Sequence, residues 1–224
     1  MPNDPQIVTV AGRLSWPRLT MEAAIAGNLK SKFPVAADKL GPSVNIVVEQ
    51  SQVDKIVAHA RDTFLPWCVE QQKNGETRSA LTQAQADEIL AFLEAGDWEA
   101  APPHTPIKHA DEKLLEKVPT AAATIKVSGR PGQNFIQQVH VRDESDLAQG
   151  QEVKNFPALL PIGQTVHELY AGCDIAVTLN MYAFVASKVP GFTASATTIV
   201  FKRDNVRFGG GTDVDEDSIF MDED

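Results

Sequence analysis

The chain has 224 residues, of which 43% are hydrophobic, and its formal net charge at pH 7 is −10. This length and composition suit a globular domain with a buried core and exclude a fully disordered protein. Taken for the whole chain, the negative charge argues against nucleic-acid binding, because lysine and arginine supply most of the non-specific affinity for phosphates.

The sequence contains no run of 18 apolar residues, and residues 1–10 hold Asn3, Asp4 and two prolines where a signal peptide would be cationic and then apolar. We therefore expect a soluble, cytoplasmic protein with no membrane contact. Cys68 and Cys173 lie 105 residues apart in a chain without a secretory signal. Both thiols are expected to be reduced.

The acidic charge is concentrated at the end of the chain. Residues 213–224 carry seven acids and no base, namely Asp213, Asp215, Glu216, Asp217, Asp222, Glu223 and Asp224. The remaining 212 residues have 23 acidic and 20 basic side chains, and five of those acids fall between Asp87 and Glu99. A basic groove elsewhere on the domain is therefore permitted.

In the first quarter of the chain, alternating apolar residues predict a strand over 6–11, and a β-branched run predicts another over 44–48. Residues 21–40 lie between them. This stretch is rich in alanine, but Gly27-Asn28 and Pro34 are expected to break any helix, so it is predicted to be a long connection.

Two amphipathic helices are predicted next. The first covers residues 51–65, with Ser51 as its cap and Pro66 as its end, and the second covers residues 82–95, with a capping box from Thr82 to Gln85 and a stop at Gly96. A proline-rich linker follows, and then a short helical piece over 110–117.

From residue 120 onward the sequence is typical of β structure. Gly-Arg-Pro-Gly at 129–132 separates strands over 123–127 and 135–142 in the manner of a hairpin. A strand over 175–184 and a last strand over 196–202 are separated by a loop at Pro190-Gly191-Phe192, and Gly209–Gly211 forms a flexible joint. The pattern favours a mainly β barrel with inserted helices (α+β) over a doubly wound sheet.

The sequence carries no recognisable catalytic or cofactor motif. The triple glycine lacks the lysine of a P-loop, the histidines and cysteines lack zinc-ligand spacing, and no G-x-S-x-G elbow occurs. We expect binding rather than catalysis, without a cofactor or metal. A hydrolase with an unrecognised site and a structural or scaffolding protein with a solubilising acidic tail remain as alternatives.

Single-stranded DNA is held by cations that follow the backbone and by flat side chains on which bases stack. The β half offers both, as cations at Lys126, Arg130, Arg142, Lys154, Lys188, Lys202 and Arg203, and as rings at Phe135, Phe156, Tyr170, Tyr182, Phe184 and Phe192. A single phenylalanine is more often a core residue. Tyr182 and Phe184 are the best stacking candidates, because they alternate with aliphatic residues and share a strand face with Thr178 and Asn180.

The acidic tail has a second feature, the apolar triplet Ile219-Phe220-Met221. An acidic segment of this composition does not fold alone. It can lie in a cationic groove in place of DNA phosphates, and its Phe220 can dock into a pocket of a partner protein.

The stretch YAGCDIAVTLNMYAF (170–184), followed by FKRDNVRFGGG and an acidic end, resembles the single-stranded DNA-binding proteins of tailed bacteriophages. The resemblance covers about the last quarter of the chain well. The positions that carry it are Tyr170, Gly172, Cys173, Asn180, Tyr182 and Phe184.

The resemblance implies an OB-fold-like five-stranded barrel over residues 1–208, with a disordered joint and acidic tail over 209–224. It also implies sequence-independent single-stranded DNA binding in phage replication, recombination or repair, inside the bacterial host cell. The tail is expected to recruit a replication protein such as a polymerase or helicase, and weak self-association is left open.

Overall fold

The computed structural model describes residues 4–30, 36–98, 104–133, 136–139, 158–160 and 169–208. Nine strands lie in these ranges: β1 (Ile7–Arg18), β2 (Ser43–Val48), β3 (Ile107–His109), β4 (Ala123–Ser128), β5 (Ile136–Val139), β6 (Ala158–Leu160), β7 (Asp174–Ala186), β8 (Val189–Ser195) and β9 (Thr198–Arg203). The α-helices are α1 (Met21–Leu29), α2 (Gln50–His59), α3 (Leu65–Lys73), α4 (Gln83–Ala95) and α5 (Glu112–Lys117). A 3₁₀ turn covers Ala37–Lys39, and a π-helical turn covers Ala60–Phe64.

Five of the strands close into a barrel in the order β1-β2-β4-β8-β7, and β7 returns to β1. All neighbours in this ring are antiparallel except β4 and β8, which are parallel. The predicted fold class, a mainly β, OB-like five-stranded barrel with inserted helices, is confirmed. Strands β9, β5 and β6 extend the sheet from the first half of β7, and β3 adds to β4.

The barrel is filled from every wall by alternate side chains. β7 contributes Ile175, Val177, Leu179 and Met181, all at most 1% exposed, and they meet a core that also contains Ile46 of β2. This alternation follows from the period of two in a β-strand, which sends the intervening residues outward.

The 12-residue strand β1 can bend around the barrel because of Gly12. A Cβ at this position would overlap the carbonyl oxygen of Val47 and the side chain of Ile46. Gly12 therefore allows β1 and β2 to approach closely at this point.

The helices inserted between β2 and β4 pack into the same core as the barrel strands. Their course differs from the prediction at Pro66. Ser51 lies inside α2, which has Glu49 as its N-cap, and the helix continues through a π turn into α3. The Leu65 N–H reaches the carbonyl of Ala60, five residues back. Pro66 then lies in the first turn of α3, directly after the π turn, and the helix passes through this position although proline has no N–H to donate.

Helix α4 agrees with the prediction. Thr82 caps it with the full capping box to Gln85, and Gly96 ends it at φ 67°. The short helix α5 is also present, and the side chain of Asp111 accepts a hydrogen bond from the Leu114 N–H at its start.

Residues 21–29 form a helix, which corrects the prediction of an irregular connection. The Thr20 hydroxyl accepts a hydrogen bond from the Ala23 N–H and caps α1. Gly27 lies inside this helix, and the guanidinium of Arg18 occupies the space that a Cβ at position 27 would need. One glycine costs only about 1 kcal/mol relative to alanine.

The predicted hairpin between residues 123–127 and 135–142 is wrong. One edge of β4 pairs with β2 and the other with β3 and β8, so no edge is left for β5. β5 instead pairs with β9 and β6. The loop expected at Pro190-Gly191-Phe192 is also wrong, because these residues form strand β8.

Both cysteine side chains are buried free thiols within the core. Burial raises the pKa of Cys68 to about 12 and that of Cys173 to about 11, because the thiolate would lose its hydration. In the unfolded chain both thiols ionise near pH 9. Their contribution to the free energy of unfolding is therefore complete below pH 9 and falls as the pH rises toward 11.

We therefore expect a thiol reagent such as DTNB to leave both cysteines unmodified in the native protein at pH 8 and to modify both in denaturant. The melting temperature should decrease as the pH is raised from 9 to 11. Cys68→Ala and Cys173→Ala serve as controls that assign the reaction, and rapid labelling of the native wild type would contradict the burial.

Candidate nucleic-acid interface

The outer face of β7 carries the features predicted for it. Thr178 and Asn180 are exposed, and Tyr182 and Phe184 are half-buried on the same side. The aliphatic residues between them face the core. We call Tyr182 and Phe184 the ring pair.

A row of polar side chains crosses four strands beside the ring pair. Ser43 of β2 pairs with Ser128 of β4, Ser128 with Ser195 of β8, and Ser195 with Asn180 of β7. In the next row along the sheet, Lys126 lies two residues before Ser128, and Tyr182 lies two residues after Asn180 in the antiparallel strand. Lys126 and the ring pair are thus on one outer surface of the barrel.

Two further predicted cations flank this surface. Lys188 is exposed at the tip of the β7–β8 hairpin, where Ser187 and Lys188 have φ of 52° and 72°. These values and the pairing of Ala186 with Val189 define a type I′ turn. Arg130 is exposed in the loop after β4, whose Gly129 N–H donates to the Pro42 carbonyl at 2.8 Å.

The structure adds two residues that sequence analysis missed at this surface. The Arg78 guanidinium carbon lies 5.6 Å from the ring centroid of Tyr182. The His104 ring is nearly parallel to that of Phe184, at 16° and 6.3 Å between centroids. Both residues come from segments outside the barrel, so no strand pattern in the sequence could have revealed them.

The remaining predicted residues lie at the other end of β7. Tyr170, Lys202 and Arg203 are near Asp174, which is eight residues from Tyr182, or ~26 Å along an extended strand. Arg203 is exposed and forms an ion pair with Asp174, whose carboxylate raises the pKa of the guanidinium. The structure therefore separates the predicted cations into two groups instead of one groove.

Tyr170 is held by contacts with the residues that follow β9. Its hydroxyl lies 3.0 Å from the Asp204 carboxylate and accepts a hydrogen bond from the Asn205 N–H at 2.9 Å. Burial raises its pKa, and the nearby Asp204 carboxylate contributes in the same direction. Arg207 covers its ring, with the guanidinium carbon 4.4 Å from the centroid.

Arg13 also holds this segment. Its guanidinium donates to the carbonyls of Gly172 and Val206 and lies 4.4 Å from the ring centroid of Phe208. Burial strips water from the guanidinium and lowers its pKa. We call residues 204–208, together with Arg13 and Tyr170, the C-terminal clasp. The clasp explains why residue 172 is a glycine. Its φ is +112°, and a Cβ at this position would overlap the Val206 carbonyl.

Phe192 is not available for stacking, which corrects its inclusion among the candidate rings. It is 2% exposed and contacts Phe64 edge to face in the core. The other candidates lie outside the described residues, namely Phe135, Arg142, Lys154, Phe156, Asp213, Asp215, Glu216, Asp217, Ile219, Phe220, Asp222, Glu223 and Asp224.

Within the described ranges, no three side chains of the metal-ligating types come together as a candidate metal site. In the same ranges, no helix has the length and apolar character needed to cross a membrane.

No protein-family model matches the sequence, and no curated protein matches it significantly. Solved structures do match. The single-stranded DNA-binding protein from bacteriophage Enc34 aligns with a TM-score of 0.50 and 13% identity over 96% of this chain and 90% of its own. Its complex with single-stranded DNA aligns at TM-score 0.49 and 11% identity, covering 91% and 90% of the two chains.

A third match is gp2.5, a single-stranded DNA-binding protein encoded by bacteriophage T7, with a TM-score of 0.41 and 11% identity over 92% of this chain and 96% of that chain. At these identities the first match establishes a shared fold.

The C-terminal clasp predicts that Tyr170→Phe will loosen residues 204–208. Loss of the hydroxyl should cost about 1 kcal/mol and should speed tryptic cleavage after Arg207. The readouts are thermal unfolding and the rate of cleavage followed by mass spectrometry. Tyr182→Phe makes the same chemical change far from the clasp and is the control; equal cleavage rates in both variants would contradict the assignment.

Proposed function

We propose that this chain is a sequence-independent single-stranded DNA-binding protein that holds DNA on the outer surface of its barrel, over the ring pair. The carrying observation is the half-buried Tyr182 and Phe184 on an otherwise polar face of β7. Aromatic rings on an outward strand face leave apolar surface in contact with water unless a flat ligand covers them. Nucleobases are such ligands.

The charges around the ring pair support this proposal. Lys126, Arg130, Lys188 and Arg78 are all exposed on or beside this surface, although the chain as a whole is acidic. A phosphate backbone crossing the row of serines between β2 and β7 would pass between these cations. Stacking and phosphate contacts of this kind do not read base edges, so we infer binding without sequence preference.

The fold comparison points the same way. The Enc34 protein, which shares the barrel, is by its name a single-stranded DNA-binding protein. We infer from this, and from the resemblance of residues 170–184 to phage proteins of that class, that the chain acts in phage DNA replication, recombination or repair in the host cytoplasm. Its role is binding rather than catalysis.

We further propose that residues 1–208 form the DNA-binding domain and that residues 213–224 act on it as a competitor. The clasp fixes Phe208 at the far end of β7, about 26 Å from the ring pair. From Phe208 to Phe220 is twelve residues, which reach up to ~40 Å when extended. The tail carboxylates from Glu216 onward can thus reach the cations around the ring pair, while Ile219 and Phe220 are suited to a polymerase or helicase partner.

Replacing Tyr182 or Phe184 by alanine should weaken single-strand binding by about 1–3 kcal/mol each, the usual value of one base stack. Fluorescence polarisation with a labelled dT oligonucleotide measures this, and a duplex of the same length tests strand preference. Phe92→Ala removes a ring of α4 that packs against Trp98 and not against the ring pair, and it should leave affinity unchanged.

The same titration at several salt concentrations tests the electrostatic part of the proposal. Log affinity should fall linearly with log salt, and Lys126→Ala should reduce the slope by about 0.7 if one phosphate contact is lost. Arg203→Ala should change it less, because Arg203 already pairs with Asp174. A wild-type protein without measurable, salt-sensitive binding would exclude the proposed function.

Deleting residues 213–224 should tighten single-strand binding at low salt. Tethered carboxylates that occupy the cationic surface must leave before phosphates enter, so the apparent Kd of the full chain is raised by the reciprocal of its tail-free fraction. The difference should shrink as salt screens the tail. A charge-neutral tail, with its seven acids changed to Asn or Gln, is the matched control for chain length, and it should behave like the deletion.

A further inference from the structure

We propose, on the basis of the proposed function, that Arg78 and His104 are DNA-contacting residues that close over the ring pair and hold bases from the second side. Ser79 is the residue that positions Arg78. The ring pair then acts as half of a two-sided clamp rather than as an open platform.

Arg78 is brought to the barrel by a fixed loop. The loop between α3 and α4 is bonded to the barrel through Ser79, whose Oγ accepts a hydrogen bond from the Ala183 N–H at 3.2 Å. Ser79 is 1% exposed and has φ of 55°, a conformation unfavourable for a residue with a side chain. The backbone is therefore strained at Ser79, and this strained loop conformation places the neighbouring Arg78 over Tyr182.

His104 is brought to Phe184 by a different segment. Its N–H donates to the Pro190 carbonyl at 3.2 Å, and its carbonyl accepts from the Phe192 N–H at 2.9 Å. This bridge to β8 needs glycine at position 191, because a Cβ there would lie 2.5 Å from the His104 carbonyl oxygen. Gly191 is paired with Phe184, so the missing side chain leaves the space beside Phe184 to the imidazole.

The chemistry of both side chains suits a nucleobase. A guanidinium plane stacks on bases and adds cation–π attraction, and an imidazole ring stacks in the same way. A base between two flat groups needs about 7 Å, twice a van der Waals contact. Because Arg78 is 5.6 Å from the Tyr182 centroid, its guanidinium has to withdraw by about 1.4 Å. An exposed arginine side chain can do this by rotating its own bonds while the loop stays bonded through Ser79.

Two independent segments thus place a flat, nitrogen-rich group over each member of the ring pair. If the only role of Arg78 and His104 were to stabilise the fold, their loss would lower the thermal midpoint and leave DNA contacts unchanged. The two roles therefore differ in a measurable way.

The experiment compares Arg78→Ala, Arg78→Lys and His104→Ala with wild type in the full-length protein. Binding is measured by polarisation with labelled dT oligonucleotides. Base stacking is measured with an oligonucleotide that contains 2-aminopurine, whose emission falls when it is stacked. Lys73→Ala removes an exposed charge from the end of α3 and is the charge control.

We expect Arg78→Ala and His104→Ala each to raise the Kd roughly threefold to thirtyfold, the range of one cation–π or stacking contact. Both should also reduce the quenching of 2-aminopurine. Arg78→Lys should keep the salt slope and still lose most of the quenching, because an ammonium has no plane. Lys73→Ala should keep the quenching.

Ser79→Gly tests the positioning role. Glycine relieves the positive φ and keeps the loop backbone, but it removes the hydroxyl, so the protein should remain folded while its quenching falls toward that of Arg78→Ala. Normal Kd and quenching in Arg78→Ala and His104→Ala, together with a loss in Tyr182→Ala, would overturn the clamp and leave the proposed function standing. Absence of single-strand binding by the wild type would instead overturn the proposed function itself.

Discussion

Closure of the barrel depends on strand β7. This strand pairs with β1 over Asp174–Asn180, with β9 over its first residues, and with β8 over its second half. Its inward residues fill the core, and its outward residues carry the ring pair. A change that shifted the register of β7 by one residue would exchange the two faces, placing Tyr182 in the core and Met181 in solvent. The core and the proposed DNA surface are therefore specified by the same pairing.

The sequence predicts well where local patterns are sufficient. The alternation along residues 175–184 predicts both faces of β7, and the capping box at Thr82 predicts the start of α4. It fails where the outcome depends on distant partners. Residues 123–127 and 135–142 look like a hairpin because their separation is short, but the edges of β4 are taken by strands from other parts of the chain. Pro66 fails as a helix end because a π turn precedes it.

For the candidate site, residue type and strand face identified the ring pair and Lys126. They did not reveal Arg78 and His104, since both reach the site through hydrogen bonds that leave no periodic signal, between the Ser79 hydroxyl and β7 and between the His104 backbone and β8. Tyr170 presents the reverse case. It belongs to the same resembling stretch as Tyr182, yet its hydroxyl is engaged by Asn205 in the C-terminal clasp. Aromatic residues in one short motif thus form the ring pair at one end of β7 and an anchor for the C-terminal clasp at the other end.

The hydrogen bonding at the edge of β7 that extends past β1 affects how readily copies of this protein can associate through their sheets. Beyond the last pair with β1, backbone groups of β7 are bonded at two positions: the Met181 N–H and carbonyl bond to Gln6, and the Ala183 N–H donates to the Ser79 hydroxyl. An open row of such groups would template the addition of a strand from a neighbouring copy, which is the usual route to edge-to-edge aggregation. The bonds to Gln6 and Ser79 occupy these positions without adding a strand, which makes the edge a poorer template for such pairing. Copies placed side by side at high local concentration can then remain separate folded units.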